Sequence, residues 1–352
     1  MHIHVPSVGL KAAVVVDNIA CGPAIGGVRM AADVTTEECF RLARAMTLKN
    51  AAAGLPHGGG KSVIFGNPHM APNDKQRLIR AFACAIRCLD EYIPGPDMGT
   101  DETCMAWVHD EIGRSVGLPR VLGGIPLDEI GATGFGVAVA VEAALPFCEL
   151  KLAGARVAVQ GFGAVGQHAA RFLAEKGAIL VAAADSSGTL IGKDGLDIAD
   201  LTALKREGRP LMDYPAGEKQ DRDAIVDVLC DIWIPAARPD VLHARNVGRL
   251  KTKIVAQGAN IPATLEAEAA LHAAGILVLP DFIANAGGVI CAATEYNGGN
   301  EASAFAAIAE KIGRNTRTML ENATRAGIAP RAAAIAMAEA RIRDASAARR
   351  WG

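Results

Sequence analysis

Residues 156–173 read RVAVQGFGAVGQHAARFL and join a short apolar strand to a helix through a glycine-rich turn. Gly161 permits the tight turn, Gly163 lets a pyrophosphate approach the backbone, and Gly166 lets the helix pack closely on the strand. The amino-terminal end of the helix then faces the phosphates. Because a strand precedes these glycines and a helix follows them, the stretch predicts a dinucleotide-binding domain.

The next predicted strand, residues 178–185, ends at Asp185. A carboxylate there can accept hydrogen bonds from the ribose hydroxyls of NAD and would repel the 2′-phosphate of NADP. Ser186 and residues 187–188 could still bind a phosphate through hydroxyl and backbone donors. We therefore expect NAD, with NADP as the open alternative. The predicted dinucleotide site includes Gly161, Phe162, Gly163, Ala164, Val165, Gly166, Asp185, Ser186, Ala236 and Ala237.

Short apolar strands alternate with helical segments from about residue 131 to about residue 300. The predicted strands are residues 156–160, 178–185, 231–237, 253–259 and 276–281. This alternation predicts a parallel sheet covered by helices on both faces, as in a Rossmann-type doubly wound domain.

The first third of the chain mixes strands and helices less regularly. Residues 10–16 alternate like a strand, and Thr35 with Glu38 forms a capping box for a helix that ends at Gly54. We also predict a short strand from Lys61, a helix from Asn73 to about Tyr92 and another helix near Asp101. The alanine-rich residues 301–350 predict a helical segment that could pack back onto the first domain. The chain is therefore predicted to be a two-domain α/β protein.

Composition excludes several classes of protein. The chain has 352 residues, a formal charge of −2 and no Lys/Arg-rich stripe, so we expect no nucleic-acid partner. No uninterrupted apolar run reaches the roughly 18 residues of a membrane span, and the start lacks a signal peptide, so we expect a cytoplasmic protein without a membrane partner. The eight cysteines are scattered and predict a reducing compartment. We predict no metal site, because His2 and His4 lack a third ligand.

A second glycine-rich stretch, residues 50–68, reads NAAAGLPHGGGKSVIFGNP and looks like a phosphate loop. The P-loop pattern needs a glycine five residues before Gly60, where this chain has Leu55. The segment before it also reads as a helix, whereas a P-loop follows a buried strand. We therefore predict that these glycines do not bind a nucleotide.

Two lysines lie at this stretch among small apolar residues. Lys49 directly precedes it, and Lys61 is part of it. Burial disfavours the charged form, so one of them could act as a base near neutral pH. The other could stay charged and bind a carboxylate. The alternative is that both are surface lysines whose ammonium groups reach water.

A series of motifs favours a functional role for the two lysines. They read GPAIGGVR (residues 22–29), MTLKNAAAGLPHGGGKSVI (46–64), GPDMGT (95–100), GATGFGV (131–137), GFGAVG (161–166), QGAN (257–260) and PDFIANAGGVI (280–290). Over nearly the whole chain and in the same order, they resemble the glutamate/leucine/phenylalanine/valine dehydrogenase family. The resemblance implies a substrate domain, residues 1–131 with a C-terminal helical segment of about 323–352, and a Rossmann domain, residues 132–322, that face each other across a cleft.

The resemblance also implies an activity, the reversible oxidative deamination of an L-amino acid to its 2-oxo acid and ammonia with reduction of NAD(P). Lys49 would bind the α-carboxylate, and Lys61 would activate the water that attacks the iminium carbon. Asp97 would carry protons to and from the substrate nitrogen. Asn285 would line the substrate end of the cleft, and Thr133 and Asn260 would lie near the nicotinamide.

The predicted side-chain pocket is apolar and contains Ile25, Gly27, Gly95, Val289 and Ala292. Glutamate-specific relatives have a lysine at the position of Ile25 and a serine at that of Ala292. Burying a second carboxylate without a polar partner is costly, so we expect a branched-chain or aromatic substrate and a leucine/phenylalanine-type member.

Other hypotheses stay open. The substrate could instead be glutamate, or an unusual amino acid or amine. In another class of function, the protein could be an inactive dinucleotide-binding sensor. Family members are often oligomers, and we expect a homo-oligomer, although this chain lacks the N-terminal helix that often forms subunit contacts.

Overall fold

The computed structural model describes residues 1–349, which form two compact units. Unit 1 comprises residues 1–127, 289–307 and those from 335 on. Unit 2 comprises residues 128–288 and 308–334. The fold is α/β, as predicted, with one sheet in each unit.

The sheet of unit 1 has five strands in the order β1-β2-β4-β3-β5. They are β1 (His2–Val5), β2 (Leu10–Asn18), β3 (Ala24–Ala31), β4 (Gly58–Phe65) and β5 (Tyr92–Pro96). Strand β3 is parallel to β4 and to β5, whereas β2 is antiparallel to β1 and to β4. The helices of this part are α1 (Thr36–Ala52), α2 (Pro72–Ala85) and α3 (Glu102–Ile112).

Helix α1 begins as the sequence predicts, because the Thr35 side chain accepts a hydrogen bond from the backbone N–H of Glu38. Two other predicted boundaries are wrong. Helix α2 starts at Pro72, whose fixed φ suits a first turn, and it ends at Ala85. The predicted end of that helix, Tyr92, instead begins strand β5.

Strand β4 starts at Gly58, three residues before the predicted start at Lys61, and its glycines are packing positions. A Cβ on Gly59 would lie 2.0 Å from the Thr47 backbone nitrogen, and one on Gly60 would lie 2.9 Å from the Tyr92 ring. Only glycine therefore lets α1 and the Tyr92 ring approach the strand from opposite faces.

The sheet of unit 2 has seven strands in the order β12-β11-β10-β6-β7-β8-β9. They are β6 (Arg156–Gln160), β7 (Ile179–Asp185), β8 (Gly188–Ile191), β9 (Glu218–Gln220), β10 (Ile232–Pro235), β11 (Ile254–Ala256) and β12 (Leu277–Leu279). The predicted strands form the parallel part. The unpredicted β8 and β9 add an antiparallel edge, and β9 is fully exposed, so it has no apolar pattern to reveal it.

The helices of the second part are α4 (Leu127–Ile130), α5 (Ala132–Ala144), α6 (Ala164–Ala174), α7 (Ile198–Arg206), α8 (Leu265–Ala273) and α9 (Asp281–Ala284). The segment Leu127–Phe147 is long and apolar enough to cross a membrane. Most of it is buried inside the protein, however, and core helices of soluble proteins show the same property.

Three helices complete the described chain, α10 (Gly287–Tyr296), α11 (Glu301–Ala326) and α12 (Pro330–Ala347). The predicted helical segment is therefore interrupted. Gly327 has a left-handed φ of 63°, and Pro330 starts the new helix.

Candidate active site

A row of residues crosses the sheet of unit 1 at its centre. The pairing of Val28 with Ser62 places Gly27 beside Lys61, and Gly27 pairs with Gly95 on the other side. In parallel strands, side chains of one row point to the same face of the sheet. Lys61 therefore projects over a surface lined by two glycines.

Asp97 lies just beyond the end of β5, two residues after Gly95, and forms an ion pair with Lys61. The Lys61 side chain is only 8% exposed and that of Asp97 only 16%. A Cβ on Gly27 would lie 2.8 Å from the Asp97 Cβ, so glycine leaves room for this carboxylate. The structure thus brings together the two residues predicted to be catalytic.

Arg29 is a residue of this cluster that we did not single out from the sequence. Its Nη2 lies 3.3 Å from Asp97 Oδ1, and its Nη1 lies 2.5 Å from Glu38 Oε1. The only signal was its place in the GGVR motif, because Asp97 is 68 residues away in sequence and Glu38 lies on a different element, helix α1.

The electrostatics of Asp97 follow from these contacts. Burial opposes its ionisation, but the charges of Lys61 and Arg29 outweigh burial and lower the pKa of Asp97 below its ordinary value. The Met98 backbone N–H also donates to Asp97 Oδ1 at 2.6 Å. Asp97 is therefore a carboxylate at neutral pH.

Helix α1 covers the same face of the sheet as Lys61. Gly59, two residues before Lys61, contacts α1 at Thr47, and Lys49 follows two residues later on that helix. Lys49 is half-buried. The end of α1 is fixed because Asn50 Nδ2 donates to the Gly58 carbonyl oxygen at 2.6 Å.

The predicted pocket residues of unit 1 lie on strands β3 and β5 and on helix α10. Ile25 on β3 is 3% exposed, and a Cβ on Gly95 would lie 3.0 Å from Val116 Cγ2, so little space separates them from their neighbours. Val289 and Ala292 lie three residues apart on one side of α10. Their role in substrate binding stays a prediction.

In unit 2, the turn after β6 has the geometry expected of a phosphate-binding loop. Gly161 has a φ of 97°, and a Cβ on it would lie 2.6 Å from the Ala237 backbone nitrogen. A Cβ on Gly166 would lie 2.1 Å from the Gly161 carbonyl oxygen. Both glycines are required by packing, and they bring the Ala237 segment beside the loop.

Gly163 differs from these two glycines, because no atom of the described chain lies within 4 Å of the Cβ it lacks. It is the N-cap of α6, and among residues 1–349 no side chain caps that helix. Ala164 is exposed, Val165 is half-buried, and Phe162 is buried beneath them. With open space beside Gly163 and no side-chain cap, the start of α6 fits the pyrophosphate of a dinucleotide.

Asp185 ends β7 as predicted, but its carboxylate is already occupied by donors of the protein. Oδ1 accepts hydrogen bonds from the N–H and hydroxyl of Ser187, and Oδ2 accepts from Lys205 Nζ at 2.7 Å and from the Leu211 N–H. These donors outweigh burial and lower the pKa of Asp185 to about 2. The neighbouring Ser186 is exposed.

Asn285, predicted at the substrate end of the cleft, contacts Asn260, predicted near the nicotinamide, and Thr133 lies beside Gly287. Asn285 Nδ2 donates to Asn260 Oδ1 at 3.0 Å and to the Ala259 carbonyl oxygen at 3.2 Å. A Cβ on Gly287 would lie 3.1 Å from the Thr133 Cα. Asn285 Oδ1 is buried and has no hydrogen-bond partner in the described part of the chain, so it can accept one from a ligand.

The loops of unit 2 meet at the carboxyl edge of its sheet. A Cβ on Gly258 would lie 3.1 Å from Val165 Cγ1 and 3.4 Å from the Ala236 Cβ. Ligands of doubly wound sheets bind outside this edge, where the strand order reverses, here between β6 and β10. The predicted nucleotide residues therefore share one location.

Comparison with protein families assigns both parts of the chain. The family model described as "Glu/Leu/Phe/Val dehydrogenase, dimerisation domain" matches residues 3–114. The model described as "Glutamate/Leucine/Phenylalanine/Valine dehydrogenase" matches residues 123–350.

Similar sequences include two glutamate dehydrogenases. That of Aeropyrum pernix is 39% identical over 322 residues, which span 86% of this chain and 77% of the relative. That of Thermotoga maritima is 40% identical over 293 residues, 79% of this chain and 70% of the relative. These names do not support the predicted leucine/phenylalanine subfamily.

Solved structures share the fold. The hetero-hexameric glutamate dehydrogenase of Thermus thermophilus, in its Leu-bound form, has a TM-score of 0.87 and 31% identity over 96% of this chain and 85% of its own. The L-tryptophan dehydrogenase of Nostoc punctiforme has a TM-score of 0.76 and 27% identity over 98% of this chain and 95% of its own. The chain belongs to the Glu/Leu/Phe/Val dehydrogenase family and is an amino acid dehydrogenase that uses NAD or NADP.

Proposed function

We propose that the protein oxidises an L-amino acid to its 2-oxo acid and ammonia, reversibly, with Lys61 and Asp97 as the catalytic residues. The observation that carries the proposal is their buried ion pair, beside Gly27 and under the helix that bears Lys49. We further propose that residues 1–131, with the C-terminal segment of about 323–352, form the substrate domain. Residues 132–322 form the nucleotide domain.

In the proposed reaction, Lys49 binds the α-carboxylate of the substrate through its ammonium group. The bound nucleotide supplies the acceptor for the hydride that leaves the substrate Cα. Loss of hydride leaves a cationic iminium on the substrate. The negative charge of Asp97 stabilises this cation, because by then Asp97 has passed the proton of the substrate ammonium to solvent.

Proton transfer follows from the same two residues. Asp97 accepts the proton of the substrate ammonium before hydride loss and passes it to solvent. Lys61, once it has also released its own proton to solvent, takes a proton from the water that attacks the iminium carbon. Their direct contact lets a proton pass between Asp97 and Lys61 without an intervening water. Asp97 receives the water proton from Lys61 in this way and gives it to the nitrogen. The nitrogen leaves as ammonia while Lys61 accepts the proton of the hydroxyl that becomes the 2-oxo group.

Glutamate is the first candidate for the substrate, because the similar sequences are glutamate dehydrogenases and fit this alternative better than the predicted apolar substrate. A branched-chain or aromatic substrate is the second candidate. Ile25 and Ala292 favour it, since neither can bind the γ-carboxylate of glutamate. The L-tryptophan dehydrogenase among the similar structures shows that this fold also serves an aromatic amino acid.

Both cofactors stay candidates at this site. Asp185 was predicted to select NAD, but a carboxylate has about four acceptor positions, and those of Asp185 are used by donors of the protein. One similar sequence, at 37% identity, is the NADP-specific glutamate dehydrogenase of Saccharolobus shibatae.

The comparisons also bear on how the chain assembles. The family model over residues 3–114 carries the description of a dimerisation domain, and the Thermus thermophilus protein is hetero-hexameric. We propose a homo-oligomer for this chain, located in the cytoplasm. Light scattering of the purified protein measures the assembly.

A panel of L-amino acids, assayed with NAD and with NADP by the absorbance of reduced nicotinamide, tests the proposed substrate. Oxidation of glutamate would agree with the similar sequences. Oxidation of leucine or an aromatic amino acid would agree with the apolar residues Ile25 and Ala292. Equal activity on an amine without the α-carboxylate would remove the role of Lys49. No reduction with any substrate, in wild type and Lys61→Ala alike, would favour the sensor hypothesis.

The variant Ile25→Lys tests the pocket directly. A lysine at this position supplies the missing partner for a γ-carboxylate, so the ratio of kcat/KM for glutamate to that for leucine should rise about tenfold or more. Ile25→Met, which adds length without charge, is the control. An unchanged ratio would show that Ile25 does not contact the substrate side chain.

A further inference from the structure

A buried polar cluster in unit 2 has no assigned role, and Arg331 is at its centre. Arg331 Nε lies 2.5 Å from Glu268 Oε2, and its Nη2 lies 2.8 Å from Asp281 Oδ1 and 2.9 Å from Gln257 Oε1. The side chains of Glu268 and Asp281 are 10% and 8% exposed, and that of Arg331 is 19% exposed. We call this group the Arg331 cluster.

The charges of the Arg331 cluster make the arginine hard to replace. Burial opposes its charge, but Glu268 and Asp281 outweigh burial and raise the pKa of Arg331 above its ordinary value. One guanidinium thus compensates two buried carboxylates. Without it, Asp281 would be left with a buried charge and no ion-pair partner among residues 1–349.

Asp281 connects the Arg331 cluster to the loop that follows β11. Its second oxygen, Oδ2, accepts a hydrogen bond from the Ile261 N–H at 2.9 Å. Ile261 has a φ of 49°, a left-handed conformation that a β-branched residue adopts only when its surroundings impose it. Gln257 holds the same aspartate from the other side, because its Oε1 accepts from the Asp281 N–H.

The loop held in this way contains Asn260. Its start is fixed at the sheet, where the N–H groups of Gly258 and Ala259 donate to the Pro235 carbonyl oxygen. Its Asn260 side chain accepts from Asn285. The strained residue fixed by Asp281 follows immediately, so the position of Asn260 depends on Asp281 and, through it, on Arg331.

We propose that Arg331 is a positioning residue for the nucleotide, which acts through Asp281 and Ile261 on Asn260. The inference rests on the proposed place of Asn260 beside the nicotinamide. Arg331 itself does not contact the cofactor in this account. It lowers the cost of holding the loop in the conformation that binds.

The test is a double-mutant cycle on the dissociation constants of NADH and NADPH, measured by fluorescence without any amino acid. Arg331→Gln and Asp281→Asn should each raise the Kd of the preferred nucleotide about tenfold, and the double variant should raise it by little more than the larger single effect. Arg331→Lys, which keeps the charge, should recover part of the affinity. Because no substrate is present, failure of the proposed substrate would not affect this result.

A matched control separates positioning from stability. Arg114 in unit 1 is also a buried arginine, and it donates to the carbonyl oxygens of Ile86, Leu89 and Tyr92. Arg114→Gln should lower the melting temperature and leave the nucleotide Kd unchanged. Equal Kd values for wild type and a folded Arg331→Gln, or fully additive effects with Asp281→Asn, would overturn the proposal. If Arg331→Gln does not fold, the nucleotide Kd values of Arg331→Lys and Asp281→Asn are the test. Wild-type Kd values in both folded variants would overturn the proposal.

Discussion

Asp97 is the carboxylate on which two cations of unit 1 converge. Lys61 and Arg29 both contact it, and together they keep it ionised despite its burial. A carboxylate in this state can accept a proton from the substrate nitrogen at neutral pH. Arg29 therefore contributes to catalysis, in this account, by setting the charge of its neighbour.

Replacement of Arg29 by glutamine should move the acid limb of the pH dependence of kcat/KM to higher pH. With Arg29 gone, the pKa of Asp97 rises, and Asp97 becomes protonated earlier as the pH falls. The pKa of Asp97 is lower in the folded protein than in the unfolded chain. The ion pair between Arg29 and Asp97 therefore stabilises the fold fully above the unfolded-state pKa of Asp97, and this stabilisation is lost as the pH falls through the folded-state pKa. The variant should therefore differ from wild type in stability at neutral pH and converge with it in strong acid.

The measurements are pH–rate profiles and denaturant unfolding across the same pH range. Arg80→Gln is a control, because Arg80 pairs with Asp110 and Glu111 away from Asp97. If the acid limb of Arg29→Gln stays at the wild-type pH, that limb does not reflect protonation of Asp97.

Lys205 has a comparable role beside Asp185 in the nucleotide domain. Its ammonium compensates the carboxylate at 2.7 Å, so the repulsion of a 2′-phosphate by Asp185 is reduced. Lys205→Met should lower the ratio of kcat/KM with NADP to that with NAD, by about tenfold. Lys193→Met, at an exposed lysine in the same unit, should leave the ratio unchanged. The hypothesis fails if Lys205→Met also leaves it unchanged.

At the level of elements, two glycine-rich segments that look alike in sequence differ in what surrounds their glycines. In β4, glycines let α1 and the Tyr92 ring pack against the strand that carries Lys61. In the turn before α6, Gly163 leaves open space at the helix N-terminus. We therefore expect the first segment to determine stability and the second, as proposed, to bind the nucleotide.

Alanine at each position separates these functions. Gly59→Ala puts a Cβ 2.0 Å from the Thr47 backbone nitrogen, so it should destabilise the fold by about 2–4 kcal/mol or prevent folding. Gly163→Ala meets no described atom within 4 Å, so the melting temperature should stay within a few degrees of wild type while nucleotide affinity falls about tenfold. Gly248→Ala is a control with equally open surroundings. A stable Gly59→Ala protein, or normal nucleotide affinity in Gly163→Ala, would contradict this division.

For the whole molecule, the sequence predicted most of the parallel sheet, because each of its strands is a short apolar run next to a helix. It did not predict β5, whose sequence YIPGP contains two prolines and a glycine and resembles a turn. The polar strand β9 was missed because an exposed edge strand needs no apolar residues. Such elements form through pairing with neighbours that are distant in sequence.

The candidate site was predictable where function constrains whole motifs, as at Lys61, Asp97 and Gly161. Arg29 and Arg331 were not predictable, because their roles depend on partners such as Asp97 and Asp281, dozens of residues away. Two of the four donors around Asp185, Lys205 and the Leu211 N–H, were likewise invisible, since they lie 20 and 26 residues away in sequence. The other two belong to Ser187 in the adjoining turn. Long-range ion pairs have no local sequence pattern.

The most direct test of the central claim is the stoichiometry of the reaction in wild type and Lys61→Ala. With its preferred L-amino acid, wild type should release one ammonia for each nicotinamide reduced. Lys61→Ala should lose turnover and keep near-normal nucleotide binding, whereas Lys11→Ala, at an exposed lysine of the same sheet, should keep both. Nicotinamide reduction without ammonia, or undiminished turnover in Lys61→Ala, would contradict an amino acid dehydrogenase that works through Lys61 and Asp97.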